Sequence, residues 1–185
     1  MYLFNWKIKE NNEYSFISCY IPNANHTATE GMNNMKMSIE NLPKYRIAYV
    51  RQVGPYGAGN IQAMEKLKKW AASKDLLNDS TILLAIIQDN PETTHPENCR
   101  FDACIVIPLD YQLDDSMNES ETFNGRYVVC KVKHTAEDIQ KAWAELFPFI
   151  QNAGYRIDDK PMMERYIGDM MYNEYCEICV PVKPL

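Results

Sequence analysis

Cysteine and histidine residues occur in this sequence at spacings that support metal or redox chemistry in other proteins. His95, Cys99 and Cys104 lie within ten positions of one another in the segment QDNPETTHPENCRFDACIVIP, residues 88–108. A C-x-x-C pair follows near the C-terminus, at 176–179. Histidine and thiolate are ligands that Zn²⁺ prefers, and C-x-x-C also occurs in redox sites. The first question is whether these residues form a metal site, a redox pair or part of a sheet.

The predicted secondary structure argues against both kinds of site. Cys176 and Cys179 fall in a predicted strand, where residues three positions apart face opposite sides of a sheet. A catalytic C-x-x-C pair lies instead at a helix N-terminus, where the helix dipole lowers the pKa of the thiol. The cysteines are therefore interpreted as buried, unreactive thiols, and no metal and no cofactor are expected. No catalytic residue is assigned either, because the three histidines are scattered and the sequence contains no phosphate-binding glycine loop.

Glu164 is the carboxylate whose surroundings favour a ligand site. It lies in the segment PMMERYIG, residues 161–168, and in a strand it shares a face with Tyr166. A carboxylate in an apolar groove is costly unless a cation or hydrogen-bond donors compensate it, and a delocalised cation also gains from aromatic faces. The candidate ligand-binding residues are Glu164, Tyr166, Trp143, Tyr56, Phe147 and Tyr49. The same pattern would arise if Glu164 were a solvent-exposed strand residue and the aromatic residues were packed in the core.

The composition is that of a globular protein and excludes several classes. Of the 185 residues, 46% are hydrophobic and 24% are charged, and 25 acidic against 19 basic residues give a net charge of −6. This balance argues against direct nucleic-acid binding, which needs a clustered excess of Lys and Arg. No apolar run approaches the length of a membrane-spanning helix, and the N-terminus MYLFNWKIKE lacks the features of a signal peptide. The chain is expected to be cytoplasmic, with its six cysteines reduced.

An internal repeat organises most of the chain. With a shift of 80 residues, the strand-like segment RIAYVRQV at 46–53 aligns with RYVVCKVK at 126–133, and the helical segment at 63–74 aligns with that at 143–154. The shift falls to 75 at the last strand, where FDACIVI aligns with CEICVPV, because of the longer loop at 90–100. Each half therefore has the order strand, helix, strand, strand.

The apolar pattern of each half predicts one helix lying on one face of a sheet. The apolar stripes consist of Ile61, Met64, Leu67 and Ala71 in the first helix and of Ile139, Trp143, Leu146 and Ile150 in the second. Pro148 is expected to kink or end the second helix early, because proline removes a backbone donor. The predicted fold class is α+β: a pseudo-two-fold tandem of βαββ units with antiparallel sheets and two long helices. The free sheet faces are expected to meet across a ligand groove, to which Glu164 and Tyr166 are assigned.

Residues 1–36 stand apart from the repeat. The segments YLFNWKIK and EYSFISCY around ENN predict a β-hairpin, and the polar stretch 23–34 is interpreted as a linker. The hairpin is expected to be an arm packing on the domain, an oligomer contact or the remnant of a longer protein. Residues 37–185 are predicted to form the main domain, with halves at 42–108 and 119–183.

Four segments of the repeat resemble one known family. They are LPKYRIAYVRQVGPYG (42–57), DNPETTHPENCRFDACIVIP (89–108), ERYIGD (164–169) and CEICVPVK (176–183). They are similar to the GyrI-like effector-binding family, which supplies the small-molecule domains of AraC-type and MerR-type bacterial regulators and also occurs as stand-alone chains. The resemblance implies a pseudo-symmetric pair of βαββ units with a ligand groove between them. It also implies one acidic residue in the middle strand of the second half, which is Glu164 here.

For function, the resemblance implies binding of hydrophobic, often cationic, small molecules, in drug or effector sensing or sequestration linked to transcription regulation. Residues 1–36 do not resemble a helix-turn-helix, so the chain is expected to lack its own DNA-binding domain. The second half has KHTAE at 133–137 where relatives often repeat a GPY-like turn. One aromatic wall of the groove is therefore expected to be missing or replaced. Hydrolysis of reactive electrophilic genotoxins by the groove glutamate, and interaction with DNA gyrase, remain as alternatives. A homodimer contact or a separate regulator partner also stays open, and no membrane partner is expected.

Overall fold

The computed structural model of the chain describes residues 3–10, 13–20, 35–168 and 174–185. The strands, in chain order, are β1 (Leu3–Glu10), β2 (Glu13–Tyr20), β3 (Lys36–Leu42), β4 (Arg46–Val53), β5 (Ile82–Ile87), β6 (Arg100–Val106), β7 (Asn118–Glu121), β8 (Gly125–Lys133), β9 (Tyr155–Ile157), β10 (Met162–Ile167) and β11 (Tyr175–Pro184). The helices are α1 (Ala58–Ser73) and α2 (Ala136–Asn152), and a 3₁₀ turn covers Pro96–Asn98. β1 and β2 pair antiparallel, as the sequence predicts for the N-terminal hairpin. The predicted linker at 23–34 lies outside the described residues.

The two halves of the repeat have the predicted order of elements, and the α+β fold class is confirmed. The first half consists of β4, α1, β5 and β6, and the second of β8, α2, β10 and β11. Three further strands, β3, β7 and β9, are absent from the sequence-based prediction. β7 has the sequence NESE with all four residues exposed, so neither strand propensity nor alternation indicates a strand there.

Pro148 was expected to kink α2 or to end it early, and the early end is wrong, because α2 continues past Pro148 to Asn152. Proline removes one backbone donor, but Leu146 and Ile150 on either side of it are fully buried. Burial of such side chains contributes about 1.5–3 kcal/mol each, which holds the last turn in place. Within the described part of the chain, neither helix has the length and apolar composition of a membrane span.

The main sheet is antiparallel and its strand order is pseudo-symmetric. The order is β3-β8-β11-β10-β5-β6-β4-β7, and β9 pairs with the end of β11. The two halves meet in the centre, where β5 pairs with β10. Each half is preceded by a strand that pairs with the other half: β3 pairs with β8, and β7 pairs with β4. The two halves are therefore joined both at the centre and through these exchanged outer strands.

Two short connections force this sheet to curl. β3 and β4 stand first and seventh in the order, yet only residues 43–45 connect them. In a flat sheet these strands would lie about 29 Å apart, whereas this connection spans at most about 14 Å. Tyr45 of this connection and Thr122 of the β7–β8 connection also bond to each other, through Thr122 N to Tyr45 O at 2.8 Å and Tyr45 N to Thr122 Oγ1 at 2.9 Å. The two ends of the sheet therefore approach each other.

The curled sheet buries a separate apolar cluster on each side. α1 packs on β4 and β6 and α2 packs on β8 and β9, and both helices share one cluster, on the side that we call the helix face. The opposite side is called the inner face. Its buried cluster consists of Leu42, Ile47, Leu84, Ile86, Cys104, Tyr127, Val129, Met163 and Cys179. Because this cluster contains residues of both halves, the helix-free faces of the halves meet, as the sequence predicts.

Candidate functional site

Glu164 lies on β10, one of the two strands at the centre of the sheet. It pairs with Ala85 of β5 and with Ile178 of β11, which are both buried on the helix face. Met162 and Tyr166, two positions before and after Glu164, belong to the same face. Since α1 covers strands of the first half and α2 covers strands of the second, the site lies at the seam between the helices.

The Glu164 carboxyl group is enclosed and has few hydrogen-bond donors. The residue is 1% exposed, and the Tyr166 hydroxyl donates to Glu164 Oε2 at 2.5 Å. Among the described residues, the other oxygen, Oε1, has no hydrogen-bond partner. Burial raises the pKa of Glu164 to about 7, and the bond from Tyr166 offsets part of this rise. The group therefore changes its charge near neutral pH.

His134 is a member of the site that the sequence-based reasoning missed. Its ring stands edge-on to the Tyr166 ring, with 5.3 Å between the ring centres, and its Nε2 lies 3.4 Å from the Tyr166 hydroxyl. Burial, with a smaller contribution from Lys68, lowers the pKa of His134 to about 4, so the imidazole is neutral at physiological pH. Tyr166 therefore stands between a carboxyl group and a neutral imidazole. Because His134 and Tyr166 are 32 residues apart, no local pattern indicates the contact.

Three of the predicted aromatic residues lie on or against the helix-face cluster. Trp143 of α2 is buried in that cluster together with Tyr166, and Phe147 packs beside it with 6.3 Å between ring centres. Tyr56 packs against the same cluster, but its hydroxyl donates to the backbone carbonyls of Asp89 and Arg100. Tyr56 thus fixes the turn before α1 to the ends of β5 and β6.

The position of Glu164 and Tyr166 relative to the groove differs from the expectation. They were expected in the groove between the free sheet faces, but they lie on the opposite side, under the helices. The alternation along the strand shows that Glu164 and Tyr166 share a face, but it does not show which of the two faces the helices cover. Tyr49 packs on the inner face, so the structure does not bring it together with Glu164.

Two clefts of the molecule lie away from Glu164. The larger, of about 200 Å³, is on the inner face, and the smaller, of about 40 Å³, lies beside Arg165 and Glu177. Neither is lined by Glu164. A ligand that contacts this carboxyl group therefore requires the side chains around it to move.

The cysteine- and histidine-containing segment is the loop between β5 and β6, followed by β6 itself. Arg100 closes the loop by donating from Nε and Nη2 to the two carboxylate oxygens of Asp89, at 2.8 and 2.7 Å. His95 is exposed on this loop and Cys99 is buried beneath it, whereas Cys104 is buried on the inner face. Among the described residues, no three His, Cys, Asp or Glu side chains are grouped as metal ligands. The Asp89–Arg100 ion pair and the burial of Cys99 and Cys104 thus give this segment a structural role.

Cys176 and Cys179 face opposite sides of β11, as the strand period predicts. Cys176 belongs to the helix-face cluster and Cys179 to the inner-face cluster. Burial raises the pKa of the Cys179 thiol to about 12 and that of Cys176 further still. Such thiols stay protonated near neutral pH, and the protonated form is neither a good nucleophile nor a metal ligand.

Fold and sequence together place the chain among small-molecule-binding domains. The profile of the GyrI-like small molecule binding domain matches residues 35–183, and the chain belongs to this family. YosT of Bacillus subtilis (strain 168), an SPbeta prophage-derived protein named as a transcriptional regulator, is 36% identical over 150 residues, which cover 80% of this chain and 100% of YosT. A DNA gyrase inhibitor of Citrobacter rodentium (strain ICC168) is 27% identical over 157 residues, which cover 82% of this chain and 99% of that protein.

Solved structures share this fold at low sequence identity. The C-terminal domain of EcmrR superposes with a TM-score of 0.64 at 13% identity, over 82% of this chain and 99% of that one. SAV2435 bound to tetraphenylphosphonium superposes with a TM-score of 0.53 at 15% identity, over 80% of this chain and 94% of SAV2435. These similarities show the fold. The family match begins at residue 35, so the N-terminal hairpin lies outside the matched residues.

Proposed function

We propose that the chain binds hydrophobic cations at Glu164. One observation carries this proposal: a carboxyl group on the central strand is almost fully buried, and only one of its oxygens has a hydrogen-bond partner among the described residues. Such a group is poorly solvated when it is ionised, so burial costs free energy that a cation in contact with it would return. A cation beside Oε1 would supply the missing partner.

The aromatic residues near this carboxyl suit a cation whose charge is spread over a large apolar body. Trp143 and Tyr166 belong to one buried cluster, and Phe147 packs against it. Aromatic faces attract cations through the ring quadrupole, by about 0.5–2 kcal/mol per contact depending on desolvation. Family membership supports the same ligand class, since the fold neighbour SAV2435 is bound to tetraphenylphosphonium.

The proposal includes a release of protons on binding. With a pKa of about 7, the Glu164 carboxyl of the free protein is close to half protonated at neutral pH. A permanent cation favours the carboxylate, so each binding event at pH 7 should release roughly half a proton. Calorimetric titrations in buffers of different ionisation enthalpy measure this number directly.

The deciding experiment is a titration with tetraphenylphosphonium, followed by tryptophan fluorescence. We expect saturable binding that weakens about tenfold or more in Glu164→Gln, because the variant keeps size and hydrogen bonding but removes the charge. The matched control is Glu65→Gln, an exposed carboxylate on α1, which should bind as wild type does. Equal affinities of wild type and Glu164→Gln would remove Glu164 from the site.

Hydrolysis is a second candidate, favoured by the same titration behaviour of Glu164. A carboxylate with a pKa of about 7 can accept a proton from water near neutral pH, which is what a general base requires. A fold neighbour from Listeria innocua, with a TM-score of 0.58 at 12% identity, is named as a hydrolase. Incubation with an electrophilic cyclopropane compound tests this role by mass spectrometry. A water adduct that forms with wild type and not with Glu164→Gln would support it, and an unchanged compound would exclude this substrate class.

A further inference from the structure

The largest cleft described above lies on the inner face, on the opposite side of the sheet from Glu164. It has a volume of about 200 Å³ and is lined by residues of both halves. Its polar lining residues are Arg51, Gln88, Asp102, Ser120, Glu121 and Thr122. Its apolar lining residues are Ile47, Ile86, Phe123, Tyr127, Pro161 and Met163. The cleft therefore offers a ligand both hydrogen-bonding groups and apolar surface.

Three of the polar lining residues, Arg51, Gln88 and Asp102, form a hydrogen-bonded network. Arg51 donates from Nε and Nη2 to the two carboxylate oxygens of Asp102, both at 2.7 Å. Gln88 donates its side-chain amide to Asp102 Oδ2, also at 2.7 Å. Asp102 is buried at 2% exposure, while the Arg51 side chain is 35% exposed and its guanidinium lies over the Tyr49 ring at 5.3 Å. The Arg51 guanidinium is therefore held in a fixed position beside the cleft.

The second half contains an equivalent network that fills its own space. The repeat aligns Arg51 with Lys131 and Asp102 with Glu177, and Lys131 and Glu177 face each other across β8 and β11. There, Arg165 of β10 donates to Glu177 at 2.7 Å, and the adjacent cleft is about 40 Å³. On the inner face of β5, the first half has apolar residues in place of such an arginine. Ile86 pairs with Asp102 as Arg165 pairs with Glu177, and Ile86 lines the larger cleft.

We infer that the inner-face cleft is a second ligand site, for an uncharged aromatic compound that carries a hydrogen-bond acceptor such as an amide carbonyl. Charge decides against an ionic ligand, because Arg51 is already paired with Asp102 and Glu121 is paired with Lys44 at 2.6 Å. Because these lining charges are already paired, a charged ligand would lose its hydration without gaining an unpaired charge as its counter-ion. An uncharged acceptor can take a hydrogen bond from the exposed part of the Arg51 guanidinium while its ring packs on apolar lining residues such as Ile86 and Phe123.

The two methionines at the start of β10 report on the two sites separately. Met163 lines the inner-face cleft, whereas Met162 packs on the helix face. A titration of methyl-labelled protein with acetanilide, followed by NMR, should give saturable shifts of the Met163 and Ile86 methyl signals, with Met162 unchanged. Shifts confined to Met162, or the absence of saturable shifts up to the solubility limit of acetanilide, would overturn the inference.

Variants and charged analogues test the ligand class. Phe123→Ala removes a ring that is 54% exposed at the mouth of the cleft, so folding should be preserved and acetanilide should bind about fivefold more weakly. Leu109→Ala, at an exposed position outside the cleft lining, and Glu164→Gln should both bind it as wild type does. Unchanged binding in Phe123→Ala would overturn the site. Benzoate and phenyltrimethylammonium should shift Met163 less than acetanilide does, and stronger binding of either would overturn the uncharged class.

Discussion

Tyr166 and Glu164 are joined by a 2.5 Å hydrogen bond between two side chains on the same face of one strand. Within the described residues, this is the hydrogen bond that the Glu164 carboxyl accepts, since Oε1 has no partner there. Carboxylates with low pKa values usually accept two or three hydrogen bonds, whereas Glu164 accepts one. Desolvation therefore outweighs hydrogen bonding, and the pKa of Glu164 rises to about 7.

Removal of the Tyr166 hydroxyl should raise the pKa of Glu164 further. The hydroxyl donates to the carboxylate, so Tyr166→Phe removes the interaction that favours the charged form. A hydrogen bond to a charged group contributes about 1.5–3 kcal/mol, which corresponds to a rise of roughly one to two pH units. A pH titration of the carboxyl carbon signal of Glu164 by NMR measures the change. Tyr155→Phe, which removes a more distant hydroxyl, is the control, and a pKa equal to that of wild type in Tyr166→Phe would contradict the assignment.

Glu164 and His134 should have opposite effects on the dependence of stability on pH. The folded pKa of Glu164, about 7, is above its ordinary value of 4.5, so its stabilising contribution is full below pH 4.5 and is lost as the pH rises through 7. The folded pKa of His134, about 4, is below its ordinary value of 6.5, so stability is lost as the pH falls from 6.5 towards 4. Between pH 4.5 and 6.5, the loss of stability with rising pH that Glu164 causes and the gain that His134 causes therefore cancel.

Single substitutions should reveal the two slopes that cancel in wild type. In Glu164→Gln, the free energy of unfolding should rise with pH between 4.5 and 6.5, by up to about 1.4 kcal/mol per unit. In His134→Gln it should fall with pH over the same interval. Urea unfolding at several pH values measures both slopes, and the double variant should again show little change. Slopes of the same sign in the two single variants would contradict the predicted opposite effects of Glu164 and His134.

Much of the fold follows from patterns that a sequence shows directly. The helix stripe at Ile139, Trp143, Leu146 and Ile150 is wholly buried, and the alternation on β10 places Glu164 and Tyr166 on one face. The curl of the sheet does not follow from such patterns, because it depends on which strands pair and on the short connection between β3 and β4. β7 lies at one edge of the sheet with exposed side chains, so its pairing with β4 is set by tertiary structure.

The site was predictable where its members share one element and not where they come from several. Glu164 and Tyr166 share a strand, whereas His134 follows β8 and approaches Tyr166 only through the pairing of β8, β11 and β10. The alternation along β10 did not show which of its two faces the helices cover, so Glu164 was assigned to the wrong face. Arg51 and Asp102 are in the segments that resemble the family, but their contact depends on the β4–β6 register, which the sequence does not show.

The N-terminal hairpin should limit access to Glu164. β1 lies against α1 and β2 lies against α2, so the hairpin bridges the two helices on the helix face. The match to YosT covers all of that protein but 80% of this chain, and the family match begins at residue 35. A chain lacking residues 1–34 should therefore stay folded and bind tetraphenylphosphonium about two- to tenfold more tightly, because less structure must be displaced. A fluorescence titration measures the affinity, and an unchanged or lower affinity of the shortened chain would show that the hairpin does not cover the site.

Arg51 and Asp102 should contribute unequally to stability although they form one ion pair. Arg51→Met leaves the buried Asp102 carboxylate without its cation and should cost about 3–5 kcal/mol at neutral pH. Asp102→Asn leaves a partly exposed guanidinium that water can solvate, so its cost should be smaller, about 1–2 kcal/mol. Urea unfolding at neutral pH measures both losses, with the exposed Arg126→Met as control. Equal losses in both variants would contradict the asymmetry.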